Sequence, residues 1–133
     1  VESPLDHSEA FVSNLLTGVI AGAVIALVPA VPSDSSLRLT LTHPGRDTSG
    51  TRAVTLRCDP PGGAHPSAAR ACAELKASGG RFEHPPDGRM CTAVHAPVVA
   101  RADGKWRGKP VRFRAEYGND CAMWSRTGTV FAF

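Results

Sequence analysis

Leu37-Arg38-Leu39-Thr40-Leu41-Thr42 alternates apolar and polar side chains without a break. A period of two marks a strand with one buried face and one wetted face. Arg52-Ala53-Val54-Thr55-Leu56-Arg57-Cys58 gives a second strand, after a turn-rich connection made of His43-Pro44-Gly45 and Asp47-Thr48-Ser49-Gly50. Beyond Pro60-Pro61-Gly62-Gly63 the period lengthens. In Ser67-Ala68-Ala69-Arg70-Ala71-Cys72-Ala73-Glu74-Leu75-Lys76, the residues Ala68, Cys72 and Leu75 share one face. Pro66 stands at the start of this stretch and Gly79-Gly80 at its end, which predicts a helix. Residues 81–87, with Pro85-Pro86, read as loop, and 94–101 as extended. Asp103-Gly104 is a hairpin signal. Residues 105–117 alternate basic with apolar positions, with a phase break at Gly108-Lys109-Pro110 that marks a bulge or an edge. Residues 127–133 read as a final strand. Short strands with one clear helix make an α+β domain on an antiparallel sheet.

The 133 residues suit one domain of ordinary size. Aromatics are few, so covalent staples would help a thin core. Four cysteines, at 58, 72, 91 and 121, contain no Cys-x-x-Cys, which argues against a redox pair or a zinc ribbon. They allow three pairings. The simplest joins neighbours, Cys58 with Cys72 and Cys91 with Cys121. It closes loops of about 15 and 31 residues, each contributing roughly 3–4 kcal/mol on the chain-entropy model. Such bonds presume an oxidising compartment, so a secreted protein is expected.

Residues 1–32 differ from the rest. Residues 11–31 are almost wholly apolar, a run of about 21 that is long enough to cross a bilayer. Val28-Pro29-Ala30 offers a small-x-small cleavage pattern, but Glu2, Asp6 and Glu9 stand where a basic n-region is usual. A secretion signal is the preferred reading, ahead of a retained membrane anchor and a packed helix. Contact with a membrane is expected only if 11–31 is retained. Each reading places the functional domain at 33–133.

All fifteen Lys and Arg lie in that domain, against nine Asp and Glu. The denser run of Arg101, Lys105, Arg107, Lys109, Arg112 and Arg114 raises the alternative of a binding module whose basic hairpin meets an acidic partner. The basic residues are otherwise spread along the chain, so a solvated strand face is expected and nucleic acid is not.

No Gly-x-Ser-x-Gly elbow, His-Glu-x-x-His or phosphate-cradling glycine loop is present, so no enzyme activity is expected. Cys58, His65 and Cys72 match no common zinc spacing, and neither a metal nor a cofactor is expected.

Met90-Cys91-Thr92-Ala93-Val94-His95-Ala96-Pro97 is the stretch that invites a function. It is an extended segment beside a cysteine, suited to being gripped by a protease. From about residue 35 to 133 the chain resembles the Streptomyces subtilisin inhibitor family. The matching residues are Arg52-Ala53-Val54-Thr55-Leu56, His65-Pro66, Cys72-Ala73-Glu74-Leu75 and Met90-Cys91. They continue through Asp103-Gly104-Lys105-Trp106-Arg107-Gly108-Lys109, Asn119-Asp120-Cys121 and Val130-Phe131-Ala132-Phe133.

The resemblance implies a secreted, homodimeric inhibitor of subtilisin-like serine proteases, with a five-stranded antiparallel sheet, one main helix and one minor helix. It also implies disulfides Cys58–Cys72 and Cys91–Cys121. By the same match the reactive bond is Ala93–Val94, Asn119 supports the loop from behind, and Met90, Cys91, Thr92 and His95 meet the protease. Thr92 stands where the family often has proline. Alanine at position 93 suits permissive apolar pockets and gives trypsin-like enzymes no cation. Arg89–Met90 is the rival bond for such enzymes. Trp106 and Phe113 are expected to serve in core or dimer packing.

Overall fold

A computed structural model describes residues 22–28, 35–45 and 50–133. Contacts divide the chain into units 1–30 and 31–133. In the first, residues 22–28 form neither helix nor strand. Most of the apolar run at 11–31 lies outside the described residues. Among the described residues no helix is long and apolar enough to cross a membrane.

In the second unit the chain forms β1 (Ser35–Thr42), β2 (Thr51–Cys58), β3 (Gly62–Gly63), α1 (Ala68–Ser78), β4 (Val98–Trp106), β5 (Lys109–Tyr117) and α2 (Asp120–Thr127). The five strands form one antiparallel sheet in the order β3-β2-β1-β4-β5.

The alternation in β1 sets the register. Leu37, Leu39 and Leu41 are buried, and Leu39 stands between Val54 of β2 and Ala102 of β4. A one-residue slip would turn all three leucines out to water. Their face packs with Leu56, Ala71, Leu75, Ala100, Met123 and Phe131. Truncating a fully buried leucine such as Leu39 to alanine costs about 2–5 kcal/mol. The exposed positions between them carry cations: Arg38, Arg101, Arg112 and Arg114, with Arg101 opposite Arg114. This is the solvated strand face expected from the composition.

Helix α1 packs on β2 and is stapled to its end by Cys58–Cys72. It ends at Gly79, whose φ of 67° carries the chain into the left-handed region that favours glycine. Ahead of it, buried His65 donates from Nε2 to the Val130 carbonyl at 2.9 Å, and its Nδ1 accepts from the Ser67 amide. One imidazole therefore ties the helix entry to the C-terminal tail. Trp106 and Phe113 belong to the core: Trp106 lies over Gly80, and Phe113 stacks on Phe82 and Phe131.

The structure corrects two sequence-based expectations and sharpens others. Asp103-Gly104 is not a hairpin turn but lies within β4. Glycine is required there because a Cβ at position 104 would come within 2.1 Å of the Ser36 carbonyl oxygen of β1. The turn is Arg107-Gly108, both at positive φ and closed by Trp106 opposite Lys109. Such a two-residue turn matches the twist of its strands. The phase break at Gly108-Lys109-Pro110 is this turn, and Pro110 follows it on the sheet-edge strand β5, where a missing N–H is tolerated. The segment read as extended from residue 94 joins the sheet at Val98.

Residues 127–133 do not form a strand. Helix α2 runs to Thr127, and the tail beyond Gly128 drops Val130 and Phe131 into the core individually. The Thr129 amide there donates to Glu74 Oε2 at 2.8 Å. The fifth strand is instead the two-residue β3. The minor helix is α2.

Candidate functional site

Residues 81–97 form the long connection between α1 and β4, without helix or strand. Its first part is tied down. The His84 and Asp87 amides donate to the carbonyls of Arg126 and Ser125 at the end of α2, at 2.9 and 3.0 Å. The Tyr117 hydroxyl donates to Glu83. Burial, and then the Glu83 carboxylate, push this phenol well above the usual tyrosine range.

Residues 90–96 stand clear of the body. Every one of them is exposed. Among the described residues of the second unit, the large apolar side chains left in water are Met90 and Val94, 97% and 63% exposed. A domain short of aromatics does not waste apolar surface without cause, and a pair of exposed apolar side chains on one loop marks an interaction site.

Three restraints hold this stretch from below. The first is the Cys91–Cys121 disulfide, with a Cα–Cα distance of 5.7 Å, joining the loop to the first turn of α2. The second is Asn119, whose Nδ2 donates to the Thr92 carbonyl at 3.1 Å and to the Val94 carbonyl at 2.9 Å. These carbonyls flank Ala93, so one carboxamide fixes the backbone on both sides of it. The third is the Ala96 amide, which donates to the Gly118 carbonyl at 2.8 Å.

Asn119 is itself fixed. It is the N-cap of α2, and its Oδ1 accepts from the Ala122 amide at 2.8 Å. Capping uses the oxygen of the side chain and leaves both amide hydrogens for the loop. The rigidity of a helix start is thereby passed to an exposed segment.

The residues expected to form the reactive bond, to meet a protease and to support the loop all fall in this region, whereas Cys58 and Cys72 lie apart on β2 and α1. Met90, Cys91, Thr92, Ala93, Val94 and His95 lie along the exposed stretch, and Asn119 lies beneath it. The disulfides pair as the resemblance implied. Arg89, the rival anchor, is engaged: its Nη2 lies 2.7 Å from Asp87 Oδ2, and its Nε also donates to that carboxylate. The Arg89 hydrogen bonds hold the Asp87 carboxyl down at about 2.

Two supports were not foreseen. One is the Ala96–Gly118 backbone bond. The other is His43, just after β1, whose Nε2 donates to Asp120 Oδ1 at 2.8 Å. Nothing in the sequence pairs two residues that lie 77 positions apart. His43 and Gly45 also line a cavity of about 200 Å³ with His95, Ala96 and Pro97.

Comparison with known proteins identifies the family. The subtilisin inhibitor-like family matches residues 33–119. Subtilisin inhibitor-like protein 5 of Streptomyces fradiae is 43% identical over 91 residues, which span 66% of this chain and 85% of that protein. Trypsin inhibitor STI2 of Streptomyces longisporus is 37% identical across 93% of this chain and 92% of its own length. Streptomyces caespitosus sermetstatin, solved in complex with Bacillus licheniformis subtilisin, superposes with a TM-score of 0.60 at 30% identity. That match covers 74% of this chain and 98% of sermetstatin. The chain belongs to the subtilisin inhibitor-like family.

Proposed function

We propose that the protein is a substrate-like inhibitor of subtilisin-like serine proteases, with Ala93–Val94 as its reactive bond. The observation that carries this reading is the Asn119 carboxamide bonded to the carbonyls on either side of Ala93. Proteases bind substrates as added extended strands, through backbone hydrogen bonds and side-chain pockets. A free peptide loses about 1–2 kcal/mol per residue on being fixed in that form. A loop already held at Cys91, Asn119 and Ala96 spares much of this loss, and the saving appears as affinity.

The same restraints explain inhibition in place of turnover. The protease serine attacks the Ala93 carbonyl carbon, the Ala93–Val94 bond breaks, and the Val94 nitrogen takes a proton. The acyl half stays attached through Cys91–Cys121, and the amine half through the Ala96–Gly118 bond and β4. The new amine remains beside the acyl group at high effective concentration, so religation competes with hydrolysis. In this reading Ala93 enters the primary pocket, Met90 and Thr92 contact the acyl side, and His95 contacts the leaving side. The chain has no catalytic role of its own.

The proposal includes secretion, with residues 1–32 as the signal region, and a homodimer in solution. Two disulfides favour an oxidising compartment, and the family resemblance is the basis for the dimer. The competing reading, a module binding through its basic hairpin, explains neither the exposed Met90 and Val94 nor the supports beneath them.

Titration of subtilisin with the protein tests the proposal. Stoichiometric loss of activity is expected, with slow cleavage confined to Ala93–Val94. Full activity at micromolar excess of the protein refutes it.

A further inference from the structure

His43 sits at the end of β1, and only 8% of it is exposed. Its amide donates to the Gly50 carbonyl at 2.7 Å, closing the β1–β2 connection. On the ring, Nδ1 lies 3.4 Å from the same carbonyl and Nε2 is 2.8 Å from Asp120 Oδ1. The imidazole is therefore fixed to the sheet on one side and reaches α2 on the other.

Asp120 is the first residue of α2, between Asn119, which holds the loop carbonyls, and Cys121, which holds Cys91. Successive residues of a helix point about 100° apart. When Asp120 is held against His43, the rotation of the first turn is set, and with it the direction in which Asn119 presents its amide. Helix α2 has eight residues, too few to hold that direction alone. Two hydrogen bonds of 2.9 and 3.1 Å depend on it, and small rotations break them.

We propose that His43, acting through Asp120, is a positioning residue for the reactive loop: it sets the first turn of α2 so that Asn119 meets the carbonyls of Thr92 and Val94. The β1 end of the sheet thus becomes a strut of the loop, independent of the disulfide. The functional consequence rests on Ala93–Val94 being the reactive bond.

Three variants test the inference. In His43→Gln the side-chain amide nitrogen can occupy the place of Nε2. In His43→Asn it reaches only as far as Nδ1, and His43→Ala removes it. The first measurement needs no protease: NMR exchange protection of the Asn119 side-chain amide. The second is the rate of cleavage at Ala93–Val94 in a stoichiometric subtilisin complex, and the third is the thermal midpoint.

His43→Ala and His43→Asn are expected to lose the Asn119 protection and to be cleaved about tenfold faster, the scale of one lost hydrogen bond to a charged group. His43→Gln is expected to restore both. If Asn119 stays protected in all three variants while only the thermal midpoint falls, His43 serves the fold alone and the inference is overturned. If Asn119 loses protection in His43→Ala but even the parent protein fails to inhibit subtilisin, the positioning role stands and the proposed function falls.

Discussion

Replacing Asn119 by aspartate separates two tasks that one carboxamide performs. The oxygen caps α2 by accepting from the Ala122 amide at 2.8 Å, while the nitrogen donates to Thr92 and Val94. Aspartate caps a helix about as well as asparagine, and its charge is favourable at a helix start. It has no amide to donate, and it brings a carboxylate oxygen against two carbonyl oxygens. Each lost bond is worth about 0.5–1.5 kcal/mol net, and exposure places these two in the lower half. Together they amount to about 1–2 kcal/mol, a factor of roughly 5–30 in loop ordering.

Asn119→Asp is therefore expected to keep its helix cap, to melt lower only by the about 1–2 kcal/mol of the two loop bonds, and to be cleaved at Ala93–Val94 roughly 5–30 times faster in complex with subtilisin. Asn119→Ala loses the cap as well, about 1 kcal/mol, and should melt about 4–8 °C below Asn119→Asp. Mass spectrometry reads the cleavage as the gain of one water on the unreduced chain, because Cys91–Cys121 keeps the halves joined. Reduction then separates them. If Asn119→Asp is cleaved at the parent rate with an unchanged midpoint, the amide bonds do not restrain the loop and the reasoning fails.

Ala93→Lys should bring trypsin into range, since a cation then meets the acid of its primary pocket; unchanged trypsin activity would place the reactive bond elsewhere. Replacing Cys91 and Cys121 by serine opens a loop of about 31 residues and should cost about 3–4 kcal/mol, read as a lower urea midpoint. The same variant should behave as a substrate, because the acyl half can leave after cleavage. Tyr117 is the chain's single tyrosine, so phenolate absorbance reports it alone. Its folded-state value lies above the unfolded one, so its contribution to stability is fully present below about pH 10 and is lost as pH rises through the folded value. No phenolate signal is expected from the folded protein at pH 10, whereas the urea-unfolded chain should be about half ionised there.

The strands β1 and β2 and the helix α1 were legible because each carries its own period and its own stop. Leu37, Leu39 and Leu41 face one side whatever their partners are, and Gly79 ends α1 by a local conformation. The errors fell where local chemistry has two meanings. Asp103-Gly104 has the composition of a turn, but its glycine is required by the approach of β1. The alternation at the C-terminus resembles a strand, but those residues fill the core one by one behind α2.

The sequence by itself determined the exposed segment around Ala93, the α+β class and, through the family resemblance, the cysteine pairs. These depend on short-range periodicity or on motifs that survive in any context. Asn119 was expected as a support through the same resemblance, and the tertiary structure alone decided which carbonyls it reaches and what else stiffens the segment. The Asn119 amide reaches Thr92 and Val94 across more than twenty residues, Ala96 meets Gly118, and His43 meets Asp120 across 77 positions. Hydrogen bonds between residues so distant leave no period and no spacing in the chain, because their geometry exists only once the sheet has brought the partners together.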